Sequence, residues 1–197
     1  MITRATLSSV NQGLPKYRSM LAGNAAYIPS SYESIASFTP TSGSSVTFTS
    51  IPATYKHLQI RYNILLSANN GQIQLRLNND TGNNYTRQWF TSVMPSSSAA
   101  GGDTPASNVI IQGIYDGTVS TYANVGIIDI HNYSSTAQTK VIRSFSGAND
   151  NTTTRGNIEL LLGMWNNTNA VTDITLLITN ANYQTGSSLA LYGIKGA

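Results

Sequence analysis

Within Tyr55–Ser67, apolar side chains fall at every second position from Leu58 to Leu66. Leu58, Ile60, Tyr62, Ile64 and Leu66 occupy one set of positions, and His57, Gln59, Arg61 and Asn63 the other. Successive strand side chains point to opposite faces, so this period of two predicts a strand with one buried and one wet face. The chain is organised around that strand, because most later segments repeat its pattern.

Upstream, Glu33–Phe38 reads as a strand stopped by the turn cluster Pro40-Thr-Ser-Gly43, and Ser45–Thr49 points Val46 and Phe48 inward. Downstream, Asn69-Asn70-Gly71 predicts a type I′ hairpin, since Asn-Gly tolerates positive φ. Its partner strand is Gln72–Asn78, with Ile73, Leu75 and Leu77 inward and Gln74 and Arg76 outward. Asn79–Asn84 is a further turn leading into Tyr85–Phe90.

Met94–Ser107, rich in Ser, Ala, Gly and Pro, reads as a long exposed loop. Strands return at Asn108–Ile114, Asn124–Ile130 and Thr139–Phe145, and Gly147–Gly156 reads as a second polar loop. Asn157–Trp165 gathers Ile158, Leu160, Leu162 and Met164 on one face, and Asp173–Thr179 and Leu189–Ile194 complete the set. Ten or eleven short strands with almost no helix predict an all-β fold, an antiparallel two-sheet β-sandwich of jelly-roll type. No repeat of roughly 20–50 residues points to a propeller or solenoid.

Composition changes this picture little. The 197 residues suit a single domain with an appendage. Only 10% are charged, and Ser, Thr, Asn, Gln and Gly take the place of the missing charge, which disfavours solvated helices. The net charge of +3 is spread over single Lys and Arg residues, with none of the clustering that nucleic acid requires. There is no cysteine, so disulfides and thiolate zinc sites are excluded. No segment has the apolar length of a signal peptide or a membrane span, so membrane insertion is not expected. The sequons at Asn84 and Asn151 accordingly read as polar loop chemistry.

Residues 1–30 differ from the rest, and the strand-rich domain is expected over 31–197. Pro15–Ala22 can form a short helix, with Pro15 in its first turn and Gly23 at its C-terminal cap. So short a helix is marginal by itself. Leu14, Tyr17, Met20 and Leu21 are therefore expected to bury against another subunit, as part of an extended arm, the alternative being that they pack on their own domain.

Candidate chemistry is sparse. Asp129 and His131 fall two apart on one predicted strand, the start of a hydrolytic triad, but no Gly-x-Ser-x-Gly elbow supplies a nucleophile. His57 alternates with outward residues and reads as exposed. The only glutamates are Glu33 and Glu159, and a glycosidase would need two carboxylates brought together by the fold. Asp80 and Asp150 sit in Asn-rich loops without regular calcium-loop spacing. No phosphate loop or dinucleotide fingerprint occurs. The expectation is no enzymatic activity, no cofactor and no metal. Tyr85, Trp89, Trp165 and Tyr183 fall near loops or strand ends, where large amphipathic rings suit interfaces or sugar stacking. They are the candidate surface-recognition residues, and the alternative is that they cap the core.

Several blocks together resemble a family of virion structural proteins of tailed bacteriophages, described as tail-fibre or capsid-surface proteins. They are Gly13-Leu-Pro-Lys-Tyr-Arg-Ser-Met-Leu-Ala-Gly-Asn24, Tyr32-Glu-Ser-Ile-Ala36 and Ser50-Ile-Pro-Ala-Thr-Tyr-Lys-His-Leu-Gln-Ile-Arg61. Arg76–Tyr85, Gly163-Met-Trp165 and Ala190-Leu-Tyr-Gly-Ile-Lys-Gly196 complete the set. The resemblance implies a trimer-forming β-sandwich that attaches to a particle by its N-terminal segment, here the arm carrying Leu14, Pro15, Lys16, Tyr17, Arg18, Met20 and Leu21. It implies location on a virion assembled in the host cytoplasm, with major capsid or tail and fibre proteins as partners. It carries over no catalytic or sugar-binding residue. A fibre usually needs a shaft, and neither a coiled coil nor a β-helical repeat is visible. A capsid decoration or cement protein is therefore expected first, and a fibre head binding a host surface glycan second.

Overall fold

The computed structural model describes residues 31–196, apart from 69–70, 94–96, 114–122 and 150–155. Among the described residues every regular element is a strand: β1 (Tyr32–Phe38), β2 (Ser45–Phe48), β3 (His57–Ile64), β4 (Gln72–Leu77), β5 (Tyr85–Val93), β6 (Ser97–Ala106), β7 (Val109–Gly113), β8 (Asn124–His131), β9 (Lys140–Asn149), β10 (Gly156–Trp165), β11 (Ile174–Thr179) and β12 (Ser188–Ile194). They form two antiparallel sheets, one in the order β1-β12-β3-β8-β9-β10-β5-β6 and one in the order β2-β11-β4-β7. The two-sheet sandwich is the fold the alternation predicts. Among the described residues the two sheets hold eight and four strands.

The core lies between the sheets. Leu58, Ile60, Tyr62 and Ile64 of β3 point into it, joined by Ile128, Ile130, Ile142, Leu189 and Leu191 from the same sheet. Val46, Phe48, Ile73, Leu75, Leu77, Ile174 and Leu176 close it from the other side. The organising strand is therefore central, flanked by β12 and β8 with unbroken register.

Three expectations change. β3 and β4 are not hairpin partners, because they belong to different sheets and pair with other strands, and Asn69 and Asn70 lie outside the described residues. After β3 the chain crosses between the sheets instead: Leu66 bridges Tyr183, Ser67 N–H donates to the Asn182 carbonyl at 2.9 Å and Gln184 N–H to the Leu65 carbonyl at 3.0 Å. The two crossing segments satisfy each other's backbone groups. Residues 97–106, expected in a loop, form the edge strand β6, paired with β5 along its length. Small Ser, Ala and Gly side chains give no alternation to read, yet the backbone bonds of an edge strand need none.

The third change is the orientation of β10. Ile158, Leu160, Leu162 and Met164 do share a face, and it points away from the core. Its inner face carries Asn157, Glu159, Leu161, Gly163 and Trp165. Leu161 and Trp165 supply the packing, and Gly163 admits β7, since a Cβ there would meet Val109 Cγ1 at 3.0 Å. Glu159 is tolerated inside because the Arg87 guanidinium reaches it, Nη1 to Oε1 3.5 Å, while donating to the Ile110 carbonyl at 3.0 Å.

Candidate interaction surface

The inverted strand creates a contiguous apolar surface on the outer side of the large sheet. Cross-strand register sets Leu160 beside Phe145 on β9 and Phe90 on β5, and Phe145 beside Ile127 on β8. One row of four large apolar side chains thus crosses four strands. Val125 and Ile158 flank it on one side, and Leu162, Met164 and Val141 on the other. These nine residues are 38–58% exposed. Exposed single hydrophobics are ordinary, whereas a continuous group of this size on a rigid sheet marks an interaction site.

The rim is polar and internally matched. Asp129 accepts from Arg143 Nη2 at 2.7 Å and from Gln59 Nε2 at 2.8 Å, and Arg61 Nε donates to Gln59 Oε1 at 3.0 Å. Burial alone would raise the Asp129 carboxyl, but the Gln59 and Arg143 hydrogen bonds outweigh it and hold the group below its usual value. Two guanidiniums and one carboxylate meet at this edge, Arg143 paired with Asp129 and Arg61 held by the neutral Gln59. An apolar centre with a matched polar rim is the anatomy of a protein interface.

Asp129 and His131 do lie on one face, as their spacing predicts. Both Asp129 oxygens, however, serve Gln59 and Arg143. His131 packs edge-on against His57, ring centroids 5.0 Å apart, and His57 Nδ1 accepts the Asn132 N–H at 3.1 Å. His57 is half-buried, not exposed, and burial together with the neighbouring His131 pushes its imidazole pKa down.

The candidate recognition aromatics need correction. Tyr85, Trp165 and Tyr183 are each at most 1% exposed, so they are core groups and unavailable to a surface ligand. Tyr85 Oη accepts the Leu77 N–H at 2.9 Å, and its ring stacks on Trp165 at 6.3 Å. Tyr183 Oη donates to the Leu176 carbonyl at 3.2 Å. Trp89 is half-buried and lies over Gly101, where an added Cβ would meet its Cζ2 at 2.9 Å. The arm residues Leu14, Pro15, Lys16, Tyr17, Arg18, Met20 and Leu21 lie outside the described residues, as does Asp150.

Among the described residues no group of three or more His, Asp or Glu stands together to hold a metal ion. Asp80 accepts hydrogen bonds from Gly82 N at 2.8 Å, Asn84 Nδ2 at 2.8 Å and Trp165 Nε1 at 2.7 Å, closing an ordinary Asx turn. No family model, curated protein or solved structure matches this chain.

The sequence signal for the surface is present but ambiguous. Ile158, Leu160, Leu162 and Met164 share a face by alternation, which is the pattern of a core face. The polar set opposite them, Ser144, Ser146, Asn157 and Glu159, is the part that is buried.

Proposed function

We propose that this chain is a non-enzymatic structural protein of a tailed-bacteriophage virion, displayed on the particle as a capsid decoration or cement protein. In this reading residues 1–30 dock on coat subunits, and the outer face of β8, β9, β10 and β5 binds a protein neighbour. The single observation that carries the reading is the row Ile127–Phe145–Leu160–Phe90, a flat apolar surface on a regular sheet. Small-molecule sites are concave, whereas proteins bind one another through flat apolar centres with polar rims. The phage setting rests on the sequence blocks from Gly13 to Gly196.

The test is particle composition. Purified virions should contain the wild-type chain in many copies, and a Leu160→Glu, Leu162→Glu variant should be lost from them while remaining folded. Virions without the wild-type chain would overturn the reading.

A second reading, a fibre head that binds a host glycan, is favoured by one groove. Ser37, Arg61, Asn63, Ser188 and Tyr192 line a depression of about 360 Å³ on the outer side of β1, β12 and β3. The Arg61 guanidinium stands 5.9 Å from the Tyr192 ring, and the buried Asn63 Oδ1 accepts no hydrogen bond. A ring and a cation beside it suit a hydroxylated ligand. Tyr192→Ala should then reduce adsorption to cells without reducing incorporation into particles, and unchanged adsorption would exclude this reading.

A further inference from the structure

Resting on the structural reading above, we infer that the protein neighbour on the outer face is a second copy of this chain, related by a two-fold axis. Four strands about 4.8 Å apart and seven residues at about 3.4 Å each give the apolar group a footprint of roughly 20 by 20 Å. That supplies about half of the 800 Å² or so that each partner contributes to a stable interface, and the polar rim supplies the remainder.

The arrangement of the face favours a like partner. A head-to-tail contact requires a second, different patch on the same molecule. Among the described residues the other exposed large hydrophobics are Tyr32 and Phe38, both on β1 at the far edge of the sheet. A membrane surface would be expected to meet a basic cluster, and this rim pairs Arg143 with Asp129.

The register also makes the face self-complementary. Consider an axis in the interface plane, parallel to the strands and between β9 and β10. It lays Phe145 of one copy over Leu160 of the other, and Phe90 over Ile127. It sets Ile158 over Gly147, a bulky side chain over a bare backbone, Met164 over Val141, and Leu162 over the aliphatic stem of Arg143, whose guanidinium Asp129 holds. On the rim Gln88 falls over Asp129, an amide donor over a carboxylate. Sheet twist rotates the two strand sets by about 30°, which disturbs the central row least. For this face a two-fold pair replaces the threefold contact that the family resemblance implies.

This geometry yields a mixing test on the full chain. Phe145→Lys and Leu160→Glu each place two unpaired charges in the like pair and should weaken it by about 100-fold or more. In a mixed pair one contact becomes Lys against Glu and the other remains native Leu160 against Phe145. Sedimentation at micromolar concentration should show pairing of wild type, none for either variant alone, and one-to-one pairing of the mixture. A single wild-type species, unchanged pairing of the variants, or no rescue on mixing would each overturn the inference. If either charged chain misfolds by circular dichroism, Phe145→Ser and Leu160→Ser serve instead. Each should then weaken pairing by about tenfold, and unchanged pairing overturns it. A chain that joins particles yet stays single in solution removes the pair and keeps the structural reading. A chain that pairs but never joins particles does the reverse.

Discussion

Phe145 of β9 and Leu160 of β10 are direct cross-strand partners on the solvent side of the large sheet, 58% and 51% exposed. Their mutual contact contributes only a few tenths of a kcal/mol to about 1 kcal/mol. Neither is needed to fill the core, because Leu161 and Ile142 do that from the other side of the same strands. The partner proposed for this face would account for their presence on the outside.

Stability should separate the two faces of β10. Leu161→Ala opens a cavity against the small sheet and should cost about 2–5 kcal/mol. Leu160→Ser and Leu162→Ser should each cost less than about 1 kcal/mol when the chain is single. Urea unfolding of dilute protein checks both, and a large loss for Leu160→Ser would assign the outer face to folding.

Asp80 should act as the clasp of the 78–84 turn. Burial alone would raise its carboxyl, but hydrogen bonds from Trp165, Asn84 and Gly82, with Arg76 nearby, hold it below the usual 3.8. A lowered folded value means stability that is present above the unfolded value and lost as pH falls through the folded one. Asp80→Ala should cost about 1–3 kcal/mol at neutral pH by stranding the buried indole N–H. The gap between wild type and variant should shrink in acid, as chemical denaturation across the acid range would record.

Tyrosine burial sets an alkaline limit. Burial pushes the Tyr85 phenol up to about 12, and raises Tyr62 and Tyr183 as well. Folded values above the unfolded 10.0 mean stability that is complete below that pH and lost as pH rises through the raised values. Each buried tyrosine should then remove about 1.4 kcal/mol per pH unit. Tyr183→Phe should lessen the slope of unfolding free energy against alkaline pH, and an unchanged slope would show that Tyr183 ionises as freely folded as unfolded.

The sandwich was legible because β3 and β4 put apolar residues inward and mostly polar residues outward, so period and burial agree. The candidate surface was not legible for the same reason. In β10 the apolar set is Ile158, Leu160, Leu162 and Met164, and alternation groups them on one face without saying whether that face is the core. Glu159 and Arg87 would have had to be recognised as interior partners, and they lie on different strands far apart in sequence. Asn69-Asn70-Gly71 reads as a hairpin from local turn chemistry, whereas the sheet crossing is decided by residues 182–184. Tyr85, Trp165 and Tyr183 sit near strand ends as expected, but each has a buried oxygen or nitrogen satisfied by the protein, which sequence position does not reveal.

The central claim is that the outer face is covered in the working assembly. The chain lacks cysteine, so single thiols can be placed at will. Leu160→Cys and, on an exposed turn, Thr185→Cys can be labelled with a maleimide in assembled protein and after dilution. The account predicts that assembly slows labelling of the Leu160→Cys variant by about tenfold or more and leaves that of the Thr185→Cys variant unchanged. Equal labelling of the Leu160→Cys variant in both states would contradict it.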